Sequence, residues 1–381
     1  MLRSTAAALA IALLVQDSAT SDSEKSKLHD ELAASALDTG EQLIKLKAWD
    51  EARAFLELVR AKSDARAEAL DKLIAKTDKQ TSGLRWDAKS SDLVKAFGSE
   101  RAKKFFAFAK AWKEKDAEAA RWTQAEGEIL DDLLDYVKAY ARLTQIRAHY
   151  ELPKTRFDWK LSVPAVWHAR YMLHNPKDAQ EVEGNNGFTK EGSIAGRNSI
   201  SNHAESLNEL IEALIHAAFH RVYIFHPNLQ RTGLGQAKGA VTSSAIDVQS
   251  GLSTSDSPTL VLTIPKHRAT EVPTTGYDDH TRLADGKSMK EMGYPISLIF
   301  YNPGIRPKDV KAQITADLKE IEVQTSTPDS PALPRRYPNN KNAIILLPKA
   351  PLKARTSYSV VVEYSVAGQM CKMEWSFTTG R

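Results

Sequence analysis

Apolar residues recur three and four positions apart through the first third of the chain, which is the spacing of one helix face. The region 23–126 is dense in Ala, Lys, Glu, Asp and Leu and contains no proline. Both features favour helices, and we predict a helical domain over 23–126. The apolar residues that carry this pattern are Leu43, Leu46, Trp49, Ala52, Phe55, Leu56 and Val59, followed by Trp86, Phe97, Phe105, Phe106, Phe108 and Trp112.

The last quarter of the chain changes to strict alternation of apolar and polar residues, the period of a strand with one buried face. The runs lie at 296–300, 343–347, 358–364 and 371–377, and turns with proline and glycine separate them. We predict a β-sandwich over 293–381 with Cys371 on its core face, and the phrases PLKARTSYSVVV and MEWSFTT resemble bacterial Ig-like domains. The segment 266–292, rich in Thr, Asp, Gly and Lys and without a period, is predicted to be a linker or a long loop.

The middle block, 127–265, contains both periods. A long helix is predicted from 129 to 147, and Ser206 with Glu209 forms a capping box before a second apolar stripe from 207 to 218. Short apolar runs at 245–249 and 259–265 predict strands. Helices and strands are therefore expected within one domain over 127–265.

Two phrases in this block resemble signatures of the CAP superfamily, which comprises cysteine-rich secretory proteins, antigen 5 and pathogenesis-related 1 proteins. They are ELPKTRFDWKLSVPAVWHARYM at 151–172 and IHAAFHRVYIFHPNLQRTGLG at 215–235, and they stand in the order found in the family. The resemblance implies an α-β-α sandwich over 127–265. We therefore expect a multidomain chain with a helical N-terminal region, a CAP sandwich and a C-terminal Ig-like β-sandwich.

The resemblance also implies a central cleft with two histidines and two glutamates able to bind a divalent metal. The second histidine corresponds to His220 and the first to His174, with His168 as a less favoured substitute. Arg197 stands where the first glutamate belongs, and Ala217 or its neighbour stands at the second. Because an arginine neither binds a cation nor acts as a base, the resemblance then implies a cleft that favours anions. The candidate ligand-contacting residues are His168, His174, Arg197, His220 and Arg221.

A metal site at His216 and His220 remains as an alternative. The two histidines are four positions apart, as in the HExxH helix of zinc sites, and His226 or His174 would have to supply a third ligand. Ala217 occupies the position of the general base in that motif. We therefore expect no cofactor, with a divalent ion such as zinc as the less favoured possibility.

The N-terminal sequence indicates where in or outside the cell the protein is found. Arg3 precedes the ten apolar residues AAALAIALLV, a run too short to span a bilayer and typical of a signal peptide, which we place at 1–20. We expect a secreted, periplasmic or cell-surface protein with no transmembrane segment after signal removal.

Cys371 is the only cysteine, so no intramolecular disulfide can form. Animal and plant CAP proteins are usually disulfide-rich, so the single cysteine points to the bacterial branch. A net charge of +4 spread over mixed signs argues against a nucleic-acid partner.

These features predict a non-enzymatic binding or scaffolding protein whose partner is an unknown extracellular or envelope ligand. The alternative is a metal-assisted hydrolase that acts on peptide or cell-wall substrates through His174 and His220. A third possibility places the activity in the helical N-terminal region, where the sequence nominates no residue. Fold likeness by itself does not establish function, so the three remain open at this level.

Overall fold

The computed structural model describes residues 2–62, 64, 66–84, 86–178, 180–254, 260–277, 288–302, 304–335, 337–338 and 340–381, with the backbone alone for 2–19. Its helices are α1 Leu2–Lys45, α2 Trp49–Arg60, α3 Ala67–Thr77, α4 Ala88–Trp112, α5 Ala117–Asp131, α6 Leu133–His149, α7 Trp159–His174, α8 Lys190–Asn198, α9 Leu207–His216 and α10 Arg221–Ile224. Its strands are β1 Arg156–Phe157, β2 Ser199–Asn202, β3 Arg231–Lys238, β4 Thr242–Asp247, β5 Val261–Ile264, β6 Ala269–Val272, β7 Ile296–Phe300, β8 Lys308–Ala316, β9 Lys319–Glu320, β10 Val323–Ser326, β11 Ala343–Pro348, β12 Ser357–Val366 and β13 Gln369–Thr379.

The chain divides into two compact units. The first contains 1–145, 155–210 and 231–251, and the second contains 146–154, 211–230 and 252–381. Helices α6 and α9 contribute residues to both units.

The helices of the N-terminal region pack through the apolar face that the sequence predicts. Phe55 and Val59 of α2 are buried, and the Phe55 ring meets the Phe97 ring of α4 edge-on with 5.0 Å between centroids. Asp87 and Asp116 cap α4 and α5, because their carboxylates accept backbone N–H groups of the first turn. The helical N-terminal region is thereby confirmed.

The predicted border at 126 falls inside α5. Arg121 of α5 lies over the Trp167 ring of α7 at 4.2 Å from its centroid, and Trp122 meets the same ring edge-on at 5.0 Å. Helix α5 therefore shares a core with the α/β region of the first unit. The helix predicted to run from 129 to 147 is interrupted at Asp132, where α5 ends and α6 begins.

A four-stranded sheet in the order β1, β3, β4, β2 forms the centre of the α/β region. Helix α7 packs closely on β3. A Cβ atom at Gly233 would lie 2.3 Å from the Leu161 carbonyl carbon, and one at Gly235 would lie 2.1 Å from that of Ala165. Only glycine leaves room for a helix backbone at this distance from a strand.

Other helices meet β3 through Gln236, whose side chain alternates to the face opposite the glycines. Its amide accepts from the Leu207 N–H at the start of α9 (3.1 Å) and donates to Asp135 of α6 (3.3 Å). The Gln236 N–H donates to the Tyr136 hydroxyl of α6 (3.1 Å). The sheet therefore has helices on both faces.

The C-terminal region is a sandwich of two sheets. One has the order β10, β11, β7, β5 and the other has the order β6, β13, β12, β8, β9. The residues predicted to face inward fill one core, which includes Ile296, Leu298, Phe300, Ile344, Leu346, Tyr358, Val360, Val362, Tyr364, Trp375 and Phe377. The predicted β-sandwich is therefore present.

Two strands of this sandwich lie where the sequence predicts other structure. The run at 259–265, expected to end the α/β sheet, contains β5, which pairs with β7 through Leu262 and Ile299. The segment 266–292, expected to be a linker, contains β6, which pairs with β13 through Ala269 and Phe377; its residues 278–287 lie outside those described. Strands of four residues contain too few alternations to show which sheet they join.

Strand β8 escapes sequence recognition because its side chains are mostly polar or half-exposed, and Ile314 alone among its nine residues is buried. Strand β10 is likewise mostly half-buried. Cys371 lies on the core side of β13, as predicted, but it is only partly buried.

Among the residues that the structure describes, no helix is long and apolar enough to cross a bilayer. The predicted signal peptide at 1–20 lies almost wholly where the structure describes only backbone or nothing, so it stays a prediction.

We predict that Gly235→Ala destabilises the first unit by about 2–3 kcal/mol, because the new methyl group overlaps the Ala165 backbone. Gly239→Ala in the same hairpin is the matched control, since its Cβ would lie 3.4 Å from the nearest atom, a side-chain carbon of Leu173, and should change stability by less than about 0.5 kcal/mol. Urea unfolding followed by circular dichroism measures both. Equal stability of the two variants would contradict the close packing of α7 on β3.

Candidate functional site

A buried histidine, a buried glutamate and a serine are hydrogen-bonded in series in the first unit. His168 of α7 has its Nδ1 at 3.2 Å from a Glu181 carboxylate oxygen and its Nε2 at 3.3 Å from the Ser201 hydroxyl of β2. The side chains of His168 and Glu181 are both 0% exposed, whereas Ser201 is half-buried. We refer to Ser201, His168 and Glu181 as the serine–histidine–glutamate cluster.

Two glycines of α8 make room for this cluster. A Cβ at Gly196 would lie 2.5 Å from two atoms of the His168 ring, and one at Gly192 would lie 2.5 Å from a Glu181 carboxylate oxygen. The other Glu181 oxygen accepts the Thr189 N–H at 3.0 Å, at the N-cap of α8. The glycines lie four apart on one helix face, so α8 can pack directly against the buried pair.

Arg197 does not convert this region into an anion site. Its side chain is exposed, and its guanidinium donates to Ser193 one turn earlier in α8 (2.9 Å). The carboxylate that reaches His168 comes from Glu181, in the connection between α7 and α8. The sequence expectation that both acids are lost therefore misses a carboxylate supplied from another place in the chain.

His174, at the C-terminal end of α7, is exposed and lines an open cleft of about 590 Å³. We refer to this feature, defined by Glu128, Asp131, Asp132, Arg170, His174 and Lys238, as the charged cleft. Arg170 forms an ion pair with Glu128, and Lys238 bridges Asp132 and Asp135.

The charges of the cleft influence one another. Burial raises the pKa of Asp132, and the nearby carboxylates of Asp135 and Asp131 raise it further against the opposing effect of Lys238. The pKa of Lys238 is raised, because its bonds to Asp132 and Asp135 outweigh the effect of burial. The lining has three carboxylates against the two cationic side chains of Arg170 and Lys238, which leaves one negative charge in excess among these five residues.

The segment 215–235 begins in the second unit, where two buried arginines hold its backbone. Arg221 is 0% exposed and donates to the carbonyl oxygens of His216 (2.8 Å) and Pro295 (3.0 Å). Arg147 is 1% exposed and donates to carbonyls that include those of Ile224 (2.7 Å) and His226 (3.1 Å). Burial lowers the pKa of Arg147 to about 10, which leaves the group charged at neutral pH. Arg221, a sequence candidate for ligand contact, therefore has a structural role.

His220 lies past the end of α9 and not within it, because α9 ends at His216 and α10 begins at Arg221. The Nε2 of His220 is 2.9 Å from the Tyr337 hydroxyl, and the neighbouring Phe219 ring stacks on Tyr337 with 4.7 Å between centroids. The ammonium group of Lys341 lies 5.8 Å from the centroid of the Tyr337 ring. His220 therefore faces an aromatic partner in the second unit, whereas His168 and His174 belong to the first.

His216 is the last residue of α9, so the two histidines do not share a helix face. Its ring contacts the Tyr294 hydroxyl (3.4 Å) and Glu212 (3.9 Å). Across the described part of the chain, no three His, Cys, Asp or Glu side chains converge with the geometry of a metal site. The residues present do not fit the metal tetrad that the CAP resemblance implies.

Sequence reasoning missed Glu181, Ser201 and Tyr337. Glu181 lies in a polar loop, and Ser201 lies in the short strand β2, whose sequence is Ser-Ile-Ser-Asn, so neither has a local signal. The one available indication was the pair Gly192 and Gly196, whose spacing places two glycines on the same face of a helix.

Comparison with known families identifies the C-terminal region. Residues 254–379 match the family model of a bacterial Ig-like domain, Big_5. The match includes all strands from β5 to β13, so it confirms the predicted Ig-like sandwich and starts it earlier than 293. No CAP family model matches the chain. Neither the curated proteins nor the solved structures give a match.

We predict that the second unit loses stability as the pH falls below about 6.5, the ordinary pKa of histidine. Burial and the nearby Arg147 lower the pKa of His226, whose Nδ1 accepts the Asn228 N–H at 3.1 Å. The unfolded chain therefore takes up this proton at higher pH than the folded one, so folding is favoured above 6.5 and weakened below it. Thermal unfolding at a series of pH values from 7.5 to 5 measures the effect.

His226→Asn is the matched variant, because the amide oxygen can accept from Asn228 without titrating. It should reduce the acid-induced loss of thermal stability. An unchanged pH dependence in this variant would show that His226 is not responsible.

Proposed function

We propose that this chain is an exported bacterial binding or scaffolding protein, in which a divergent CAP-type α/β domain accompanies an Ig-like domain. The observation that carries the proposal is the charged cleft beside His174. The signature residues Arg221, His168 and Gly235 are buried, whereas His174 of the cleft is exposed, so the cleft offers charged side chains to a ligand.

The CAP assignment is supported by how the two signature phrases fit together. Asp158 of the first phrase caps α7 by accepting the Lys160 N–H (2.8 Å), and it pairs with Arg231 of the second phrase (2.8 Å). The Leu234 N–H of the second phrase donates to Ser162 of the first (3.1 Å). These contacts pack helix α7, which lies in the first phrase, on strand β3, which begins in the last five residues of the second.

We propose that the ligand carries positive charge, such as a basic peptide segment or an amine. The excess negative charge of the cleft favours a cation, and its open form suits an extended segment with a long side chain. This differs from the anion preference inferred from Arg197, because Arg197 is exposed and bonded to Ser193.

Export and surface location are part of the same proposal. The apolar run at 6–15 supports it through its length, and the match to a bacterial Ig-like domain is consistent with it. The bacterial origin of that family also agrees with the single cysteine in the chain.

The hydrolase acting through His174 and His220 has less support. The Nε2 of His220 is 2.9 Å from the Tyr337 hydroxyl, and among the described residues no three potential ligands converge to hold the metal that this hydrolase needs. The expectation of a non-enzymatic protein rested on the loss of both acids and on the two flanking domains, and Glu181 supplies a carboxylate at His168. Our proposal therefore concerns binding and does not extend to the absence of catalysis.

We expect a labelled hexapeptide with two lysines to bind more tightly than the same peptide with two glutamates. Asp131→Asn should weaken lysine-peptide binding about threefold, because it removes an exposed charge from the cleft. Fluorescence anisotropy at low salt measures this, and Asp92→Asn, an exposed acid of α4 away from the cleft, is the control. Equal binding of both peptides, or tighter binding of the glutamate peptide, would overturn the proposed ligand class.

We expect no stoichiometric zinc binding in calorimetric titration of the chain without residues 1–20. The two histidines of the alternative zinc site have different partners, since His216 contacts Tyr294 and His220 contacts Tyr337. A tight site of one ion per chain that His220→Ala abolishes would instead favour the metal-assisted hydrolase.

A further inference from the structure

We propose that Ser201, His168 and Glu181 form a nucleophile, base and acid series that hydrolyses carboxylic esters. This activity goes beyond the proposed binding function, and none of its three residues lines the charged cleft. The two proposals can therefore fail independently.

The hydrogen bonds run from the serine hydroxyl to the histidine ring and from the ring to the carboxylate, which is the arrangement that activates a serine nucleophile. With Nδ1–H donated to Glu181, the other ring nitrogen, Nε2, is left as an acceptor for the Ser201 hydroxyl. The distances of 3.2 and 3.3 Å are at the long end of the range for such pairs without a bound substrate. His168 is therefore placed to remove the Ser201 proton, and Glu181 is placed to hold the ring in the required tautomer.

The histidine and the glutamate of the cluster are buried, whereas the serine, which must reach the ester, is only half-buried. Glu181 and His168 are shielded from water, so their hydrogen bond acts in a medium of low dielectric. Glu181 is further held by the Thr189 N–H, and Gly192 and Gly196 provide the space for both groups. Ser201 is half-buried on β2, the edge strand of its sheet, which leaves the nucleophile accessible.

The edge position also supplies a donor for the oxygen that becomes negative during attack. The Val248 N–H donates to the Asn198 carbonyl (3.0 Å), which makes the pair 198 and 248 hydrogen-bonded in the antiparallel ladder. Because such pairs alternate, Ser201, opposite Ala245, directs its own N–H away from β4 and toward the open edge. The N–H of the nucleophile is one of the donors that stabilise the oxyanion in serine hydrolases.

The proposed reaction consumes water as its only co-reactant. The Ser201 oxygen bonds to the ester carbonyl carbon while His168 Nε2 takes its proton, and the alcohol then leaves with that proton. A water molecule attacks the acyl-serine, again losing a proton to Nε2, and the acid leaves as the proton returns to Ser201. The net change is ester plus water to carboxylic acid plus alcohol.

The first experiment treats the full chain with a fluorophosphonate probe and locates the modified residue by mass spectrometry. Modification of Ser201 is expected, with loss of labelling in Ser201→Ala. Ser243→Ala is the matched control, because the Ser243 hydroxyl contacts His203 Nδ1 (2.9 Å), and no carboxylate contact of His203 is described. It should leave labelling unchanged. A chain that is not labelled, or one labelled equally in Ser201→Ala, would overturn the proposal.

The second experiment measures p-nitrophenyl acetate hydrolysis. Ser201→Ala should lower kcat/KM at least about 100-fold, whereas Ser243→Ala should not. Glu181 acts through His168 as a positioning residue, so Glu181→Gln should lower kcat at least about tenfold with KM unchanged, since the ester does not contact it. Circular dichroism melting establishes that each variant is folded.

A folded Glu181→Gln variant with unchanged kcat, or one that changes KM alone, would remove Glu181 from the series. Retained turnover in Ser201→Ala would overturn the whole proposal.

Discussion

The close approach of α7 to β3 is the contact on which the α/β region depends. Gly233 and Gly235 let the helix backbone reach the strand, and Ser162 meets the Leu234 N–H at the point of contact. A bulkier residue at either glycine would push the helix outward. His168 lies on α7, and Ser201 lies on β2, which is two strands from β3 in the sheet. The packing of α7 on β3 therefore brings the histidine within reach of the serine.

The second unit uses buried cations for a comparable purpose. Arg147 and Arg221 donate to carbonyls of the segment 215–235, which has too little regular structure to satisfy them itself. Both guanidinium groups are nearly inaccessible, so their hydrogen bonds to neutral carbonyls must offset a large cost of desolvation. Arg221, which the CAP resemblance nominates for ligand contact, therefore holds the backbone in the structure.

The sandwich could be predicted in large part because its inward residues alternate over long runs such as β12 and β13. Short strands such as β5 could not be assigned to a sheet, because pairing with β7 is a long-range contact that leaves no local pattern. The break between α5 and α6 at Asp132 was missed for a related reason: the apolar residues on either side keep the period of a continuous helix.

The sequence by itself determined the helical N-terminal region and the alternating strands of the Ig-like domain, since composition and periodicity are local properties. The candidate histidines came from the resemblance to the CAP signatures. Only the tertiary structure decided which acid reaches which histidine. Glu181 is thirteen positions after His168 and Ser201 is thirty-three after it. Their meeting depends on α7, α8 and β2 packing together, and that packing is set by glycines whose effect is the absence of a side chain.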